Sequence, residues 1–192
     1  IFGDSSKDAE LESINLMLKS LEIAGIKNIT LSLGHAAFTS SVLEPFKKLG
    51  REIFADIEIA LSKKSKSDLD TIIPDSYDNK QSLISLCDMY GDIDIIQSAK
   101  ESFSYLEATQ NFMEDLEGLA DKLVDKSRLI LHIDLGEVQG FKYHNGVVFS
   151  AYADSAGYVL AKGGRYDGLR KQSDRDRPAV GFDLDLVSVS NL

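Results

Sequence analysis

The sequence predicts an α+β domain in which an antiparallel β-sheet is flanked by helices and interrupted by a helical insertion. Three observations lead to this fold class. Short alternating or aliphatic runs, typical of strands, lie near both ends of the chain. The middle of the chain carries apolar residues at three- and four-residue intervals, the period of helices. An Asn145-Gly146 pair between two apolar runs favours a hairpin, because both residues tolerate positive φ.

Residues 1–49 are predicted to begin the core as helix, strand and helix. The first helix is expected after Asp4-Ser5-Ser6, whose side-chain oxygens can cap it, and its apolar period runs to Gly25, a typical helix stop. The strand is expected over 28–33 because this run alternates and is rich in aliphatic residues. The second helix is expected over 36–49.

Residues 50–127 are predicted to be an all-helical insertion. Helical periods cover 51–63, 79–89 and 93–126, with a break at Pro74. A lysine-rich joint at 63–67 separates the first two stretches. We assign this joint no binding role, because a short run of charge is usually a solvated surface.

Residues 128–192 are predicted to complete the core with short strands and a final helix. The strands are expected over 129–135, 140–143, 147–152, 158–160 and 179–184. The domain assignment is therefore a core formed by 1–49 and 128–192, with 50–127 inserted between its two parts.

The composition argues against several classes of protein. The 192 residues carry 21 Lys and Arg against 31 Asp and Glu, and the formal net charge of −10 argues against a nucleic-acid partner. No apolar run approaches the roughly 18 residues of a membrane helix, so we expect no membrane partner. The single cysteine, Cys87, can form neither an internal disulfide nor a zinc cluster. The chain opens at Ile1 without a signal sequence, and we interpret it as a piece of a cytoplasmic protein.

The segment 163–169 (GGRYDGL) is the strongest candidate for binding chemistry. Its glycines let a ligand approach the backbone, while Arg165, Tyr166 and Asp167 can bind a carboxylate, stack and accept from an ammonium group. The alternative is a tight turn in which Arg165 and Asp167 pair with neighbouring residues. Both interpretations stay open at this point.

A second candidate segment, 138–149, contains Tyr143 and His144 beside the expected hairpin turn. Successive strand residues face opposite sides, so at most one of these two side chains enters a pocket on a given face. His132 and Asp134 share a strand face and could hold a metal, but two ligands do not define a site. We therefore predict no metal site and no cofactor.

In this order and separation, the two segments resemble the catalytic core of the histidyl-tRNA synthetase family. That family has an Arg-Gly-Leu-Asp-Tyr-Tyr-x-Gly hairpin, then Gly-Gly-Arg-Tyr-Asp-Gly-Leu, and then a strand and helix reading roughly Gly-Phe-x-x-Gly-x-Glu-Arg. The second of these motifs stands intact at 163–169. The resemblance implies a class II aminoacyl-tRNA synthetase-like fold.

The other two motifs depart from the family at positions that handle the reaction. Gln139 stands where the family has the hairpin arginine that helps to activate the amino-acid carboxylate. Losing such an electrostatic contact in the transition state typically costs about 3 kcal/mol. In the third motif, Asp185, Val187 and Ser188 replace the glycine, the acidic residue and the arginine that grips the ATP phosphates. The resemblance therefore implies that aminoacylation is lost.

These departures, together with the segment 143–146 (YHNG), look closer to a paralogous family, the regulatory subunits of ATP phosphoribosyltransferase. That resemblance implies a non-catalytic subunit that associates with the short-form catalytic subunit. It further implies that the subunit is required for activity and for histidine feedback control of the first step of histidine biosynthesis, and that the full-length protein self-associates. Two alternatives stay open, a divergent histidine–tRNA ligase and a free-standing amino-acid-binding paralogue.

The resemblance also implies a binding site for a histidine-like ligand, with L-histidine itself as the expected ligand. No catalytic residue and no metal ligand is expected in it. Arg165 and Asp167 either belong to this site or brace the turn. The residues expected around the ligand are Gln139, Tyr143, His144, Gly163, Gly164 and Tyr166.

Overall fold

A computed structural model describes residues 1–123, 129–138, 144–153, 156–167 and 177–192, which contain eight α-helices and six β-strands. The α-helices are α1 (Lys7–Ile23), α2 (Ala36–Leu43), α3 (Arg51–Ser62), α4 (Lys66–Ile72), α5 (Lys80–Ser85), α6 (Ile95–Ser102), α7 (Thr109–Leu123) and α8 (Leu186–Ser190). The strands are β1 (Ile29–His35), β2 (Tyr90–Gly91), β3 (Leu129–Asp134), β4 (Val147–Ala153), β5 (Val159–Arg165) and β6 (Val180–Leu184). Short 3-10 helices cover Glu44–Leu49 and Leu86–Asp88. None of the helices in these ranges combines the length and the apolar character that crossing a membrane requires.

The six strands form one mixed sheet in the order β2-β3-β1-β4-β5-β6. Four neighbouring pairs are antiparallel, as the sequence predicts, but β1 and β3 run parallel. The expectation of a purely antiparallel sheet is wrong for that pair. Parallel neighbours need a long crossover connection, and the helices between β1 and β3 provide it.

Helix α1 confirms the first predicted element. The Ala9 backbone N–H donates to Ser6 Oγ at 3.3 Å, which caps the first turn. Beyond the last turn, Gly25 has a φ of +94°, a conformation that side-chain-bearing residues rarely adopt. Ile14, Met17 and Leu21 on the apolar stripe of α1 are fully buried.

The second predicted helix, 36–49, is divided into α2 and the 3-10 segment that follows it. Pro45 lies at the junction, and its missing N–H removes one α-helical hydrogen bond there. At the other end of α2, His35 Nδ1 accepts a hydrogen bond from the Phe38 N–H at 3.4 Å and so caps the helix. The buried His35 ring packs against Phe112, with the ring centroids 4.6 Å apart.

The prediction that 50–127 is all helical is wrong at strand β2, and the helical stretch predicted over 93–126 is divided into α6 and α7 by the non-helical residues 103–108. The two residues of β2 pair with Asp134 and Ile133 at the edge of the sheet. A strand of two residues has no periodicity from which it could be predicted. The lysine-rich joint pairs with acidic side chains, since Lys64 Nζ lies 2.6 Å from Asp134 Oδ1 and Lys66 forms an ion pair with Asp88.

Strand β5 is longer than predicted and places the start of the glycine-rich segment inside the sheet. The sequence predicts a strand over 158–160, whereas β5 continues through Gly163, Gly164 and Arg165. Glycine is disfavoured in strands, so Gly163 and Gly164 carry no strand signal in the sequence. The tight-turn interpretation is therefore wrong for 163–165. The predicted strand over 140–143 lies outside the described residues.

One face of the sheet packs against helices α1 and α7 and forms the core. Rows of paired residues on this face are buried across β1, β4 and β5. Phe149 is among the largest of the fully buried side chains. The buried members of these rows are Leu31, Leu33, Phe149, Ala151 and Ala161.

A buried ion pair joins the end of β5 to helix α1. Arg165 Nε lies 2.5 Å from Glu10 Oε1, and the two residues are only 7% and 5% exposed. The same guanidinium donates to the backbone carbonyls of Ser6 at 2.9 Å and Asp4 at 3.3 Å. Burial raises the pKa of the Glu10 carboxyl, and the hydrogen bond from Arg165 opposes that rise. The arginine of the glycine-rich segment thus has a structural role.

We expect Glu10→Gln to lower the free energy of unfolding by about 3–5 kcal/mol, because it leaves a buried guanidinium without its counter-charge. The matched control is Asp8→Asn on the same helix, whose exposed ion pair with Lys122 is worth less than about 1 kcal/mol. Urea denaturation of the full-length protein followed by circular dichroism measures both. The double variant Glu10→Leu/Arg165→Met should recover most of the loss. Equal losses for Glu10→Gln and Asp8→Asn would contradict the structural role of the buried pair.

Candidate functional site

The face of the sheet opposite the core carries a row of polar residues that crosses five strands. His132 pairs with Ser32, Ser32 with Ser150, Ser150 with Lys162, and Lys162 with Asp183. Residues paired across neighbouring strands point to the same face, so the five side chains share one surface. We call them the polar row. Ser150 is buried at its centre, and Lys162 and Asp183 are exposed at one end.

Two residues further along the strands lies a row that is rich in glycine. Gly34 pairs with Val148, Val148 with Gly164, and Gly164 with Gly181. At Gly164 and Gly181, aromatic rings occupy the space that a side chain would fill. A Cβ on Gly164 would lie 2.6 Å from His144 Cδ2, and one on Gly181 would lie 3.2 Å from Tyr166 Oη.

The His144 and Tyr166 rings pack edge to face over these glycines, with centroids 6.0 Å apart. Burial lowers the pKa of His144, with Asp183 raising it and Lys162 lowering it further. Because the ordinary pKa of histidine is already about 6.5, the imidazole is neutral at pH 7. The ring pair therefore presents an uncharged, aromatic wall.

A cleft of about 670 Å³ opens beside the polar row, between the ends of β4, β5 and β6. Three carboxylates, those of Glu137, Asp183 and Asp185, and one ammonium group, that of Lys162, line it. Burial raises the pKa of Tyr152 in the cleft wall, and the nearby Glu137 and Asp134 raise it further. The part of the cleft wall that the structure describes thus carries an excess of negative charge. The lining residues are Glu137, Ser150, Tyr152, Val159, Leu160, Ala161, Lys162, Asp183, Leu184 and Asp185.

Three of the six predicted site residues, His144, Gly164 and Tyr166, come together on this open face. Gly163 lies on the core face, where a Cβ would fall 2.6 Å from Phe149 Cε2, and this placement gives it a packing role. Its predicted contact with a ligand stays a prediction. Gln139 and Tyr143 lie outside the described residues, so their predicted roles stay predictions as well.

Asp167 braces the end of β5, as one of the two interpretations of the segment proposed. Its Oδ1 atom accepts from the Ala179 N–H at 2.8 Å and lies 3.4 Å from an Arg165 nitrogen. Asn145 bonds to the Asp167 backbone through both ends of its side-chain amide, at 3.0 and 3.1 Å. These contacts tie together the chain segments before β4, after β5 and before β6.

The Asp185 carboxylate forms hydrogen bonds within its own segment, 185–188. Asp185 Oδ1 accepts from the backbone N–H groups of Val187 and Ser188 at 3.1 and 3.0 Å, which caps α8. Ser188 Oγ donates to the other carboxylate oxygen of Asp185 at 2.6 Å. These hydrogen bonds lower the pKa of the Asp185 carboxyl. The residues at the third motif thus form a helix cap and present no cation to a ligand.

Sequence reasoning missed two polar side chains of the cleft, those of Ser150 and Lys162. Alternation along 147–152 could have placed Ser150 on the same face as Tyr152. Lys162 could not be assigned a face, because the predicted strand ended at residue 160.

Within the described residues, no group of three or more His, Cys, Asp and Glu is arranged to hold a metal ion.

The mixed sheet, its helix-covered core face and the glycine-rich open face together define a class II aminoacyl-tRNA synthetase-like domain. The family model described as Histidyl-tRNA synthetase matches residues 1–189. The chain therefore belongs to the histidyl-tRNA synthetase family.

Similar proteins refine this assignment. A relative from Polynucleobacter necessarius, named ATP phosphoribosyltransferase regulatory subunit, is 33% identical over 197 residues, which cover 100% of this chain and 50% of the relative. A Bacillus halodurans structure described as an ATP phosphoribosyltransferase regulatory subunit/histidyl-tRNA synthetase has a TM-score of 0.81 at 24% identity, covering 100% of this chain and 51% of that one. The ATP phosphoribosyl transferase (HisG:HisZ) complex from Thermotoga maritima has a TM-score of 0.68 at 16% identity, covering 95% of this chain and 62% of that one. At these identities the solved structures establish the fold alone. The chain spans about half the length of the curated relatives it matches.

We expect Gly164→Ala to destabilise the protein by about 1–3 kcal/mol, because the new methyl group must displace the His144 ring. Gly118→Ala in α7 is the matched control, since a Cβ there has nothing within 4 Å and alanine gains up to about 1 kcal/mol of helix propensity. Thermal unfolding of the two full-length variants compares them. A Gly164→Ala variant as stable as Gly118→Ala would refute the close packing of His144 on β5.

Proposed function

We propose that this chain is part of a non-catalytic regulatory subunit of ATP phosphoribosyltransferase. In this proposal the full-length protein associates with a short-form catalytic subunit, is required for its activity, and makes the first step of histidine biosynthesis sensitive to histidine. Support comes from relatives of that name at about 33% identity across the whole of this chain. The proposal implies a cytoplasmic protein that self-associates in its full-length form.

The observation that carries the proposal is the charge of the open face where a synthetase of this family handles ATP. Among the described residues that line the cleft, three carboxylates stand against one ammonium group. Asp185 and Ser188 close a helix cap at the position of the family's phosphate-binding arginine. A triphosphate would meet repulsion here, whereas adenylate formation needs positive charge at these positions.

L-histidine is the proposed ligand of the same face. His144, Gly164 and Tyr166 lie together beside the cleft and supply an aromatic wall of neutral charge. Gln139 and Tyr143, which lie outside the described residues, stay predicted members of this site. Arg165, by contrast, is committed to Glu10 and does not take part.

The first test is phosphoribosyltransferase activity of a purified short-form catalytic subunit with and without the full-length protein. We expect activation by the full-length protein, followed by suppression when L-histidine is titrated in. Bovine serum albumin at the same concentration controls for nonspecific stabilisation. The absence of both activation and co-elution on size exclusion would reject the proposal and favour a free-standing amino-acid-binding paralogue.

The second test is histidine-dependent exchange of pyrophosphate into ATP. We expect no exchange above background, because the described residues that line the cleft carry three carboxylates against the single ammonium group of Lys162, whereas an adenylate transition state needs positive charge. An active histidyl-tRNA synthetase assayed in parallel confirms that the reagents work. Exchange that depends on both histidine and this protein would instead establish a divergent histidine–tRNA ligase.

A further inference from the structure

Lys162 and Asp183 form a pair of opposite charges in the wall of the cleft. They are directly paired residues on β5 and β6 and therefore belong to one face of the sheet. The Cβ atoms of such cross-strand neighbours are about 5 Å apart. Both residues are exposed, and neither forms an ion pair with another described side chain.

The other charged groups of the cleft interact with other parts of the protein. Asp185 accepts the backbone hydrogen bonds that cap α8. Glu137 lies beside Tyr152, where it helps to raise the pKa of the phenol. Lys162 is thus the one cation among the described lining residues, and Asp183 is the carboxylate nearest to it in register.

The two side chains also flank the aromatic wall. Both charges affect the pKa of His144. The His144 ring packs over Gly164, which lies one row of the sheet away from Lys162 and Asp183. A ligand that lies against His144 and Tyr166 therefore has one positive and one negative group within reach at the same end of the cleft. An α-amino acid carries its carboxylate and its ammonium group on a single carbon, so its head group matches this arrangement.

We propose that Lys162 binds the carboxylate and Asp183 the α-ammonium group of an amino-acid ligand, so that this pair selects a zwitterionic head group. The inference rests on the proposed binding of L-histidine to this face. It goes beyond that proposal by assigning each charge of the ligand to a named residue. In the absence of ligand, the two exposed charges contribute little to stability, because water screens them.

Isothermal titration of the full-length protein with three probes separates the two roles. L-histidine carries both charges, L-histidinol lacks the carboxylate, and imidazolepropionate lacks the ammonium group. Lys162→Met should weaken binding of L-histidine and imidazolepropionate by about tenfold or more, because each loses a charge-assisted hydrogen bond. Binding of L-histidinol should be unchanged or slightly tighter, since the cleft becomes more negative.

Asp183→Asn should give the reciprocal pattern. It should weaken binding of L-histidine and L-histidinol by about tenfold or more, and leave the affinity for imidazolepropionate unchanged or slightly higher. Lys48→Met is the matched control for loss of one surface lysine, because Lys48 is exposed and lines no part of this cleft. It should leave all three affinities unchanged.

Two results would overturn the assignment in different ways. If the unsubstituted protein binds L-histidine but the two variants change all three affinities alike, or change none, then other residues read the head group. If the unsubstituted protein binds no L-histidine, the ligand itself is wrong, and the assignment falls with it. The activation assay remains an independent readout, because association with the catalytic subunit does not depend on Lys162 or Asp183 in the proposal.

Discussion

The buried pair of Arg165 and Glu10 is the contact on which the geometry of the open face depends. It fixes the end of β5 against α1, with Arg165 pointing to the core side of the sheet. Because side chains alternate along a strand, Gly164 and Tyr166 must then face the other side. A slip of one residue would exchange the two faces and bury Tyr166 under α1. A charge pair on the opposite face of the sheet therefore decides which residues face the cleft.

Most of the helical structure could be predicted because its signals are local. The run Asp4-Ser5-Ser6 and the stop at Gly25 mark the two ends of α1 in the sequence, and the structure selects Ser6 from that run as the cap. The parallel pairing of β1 with β3 could not be predicted, because strand direction depends on a crossover whose path no local pattern records. Strand β2 was missed for a related reason, since its two residues form a strand only because β3 lies beside them.

The candidate site shows the same division between local and non-local information. The glycine-rich segment predicts Gly164 and Tyr166 as site residues, and His144 packs beside them through a close approach that only glycine permits. The sequence could not distinguish Gly163 from its neighbour, because the assignment of faces requires the true length of β5. The same error hid Lys162. Pairing register, set by tertiary contacts, is the information that was missing.

The fold and the chemistry of the open face are supported by separate groups of residues. Stability rests on Arg165, Glu10 and the apolar core face, all of them buried. The charges that line the cleft lie largely on exposed side chains such as Lys162 and Asp183, which contribute little to folding. Substitutions at such positions change what the cleft binds without weakening the sheet beneath it. A synthetase-like scaffold can therefore lose the charges that handle a triphosphate and keep its glycine floor and aromatic wall. In the function proposed above, such a domain binds a small ligand without transforming it.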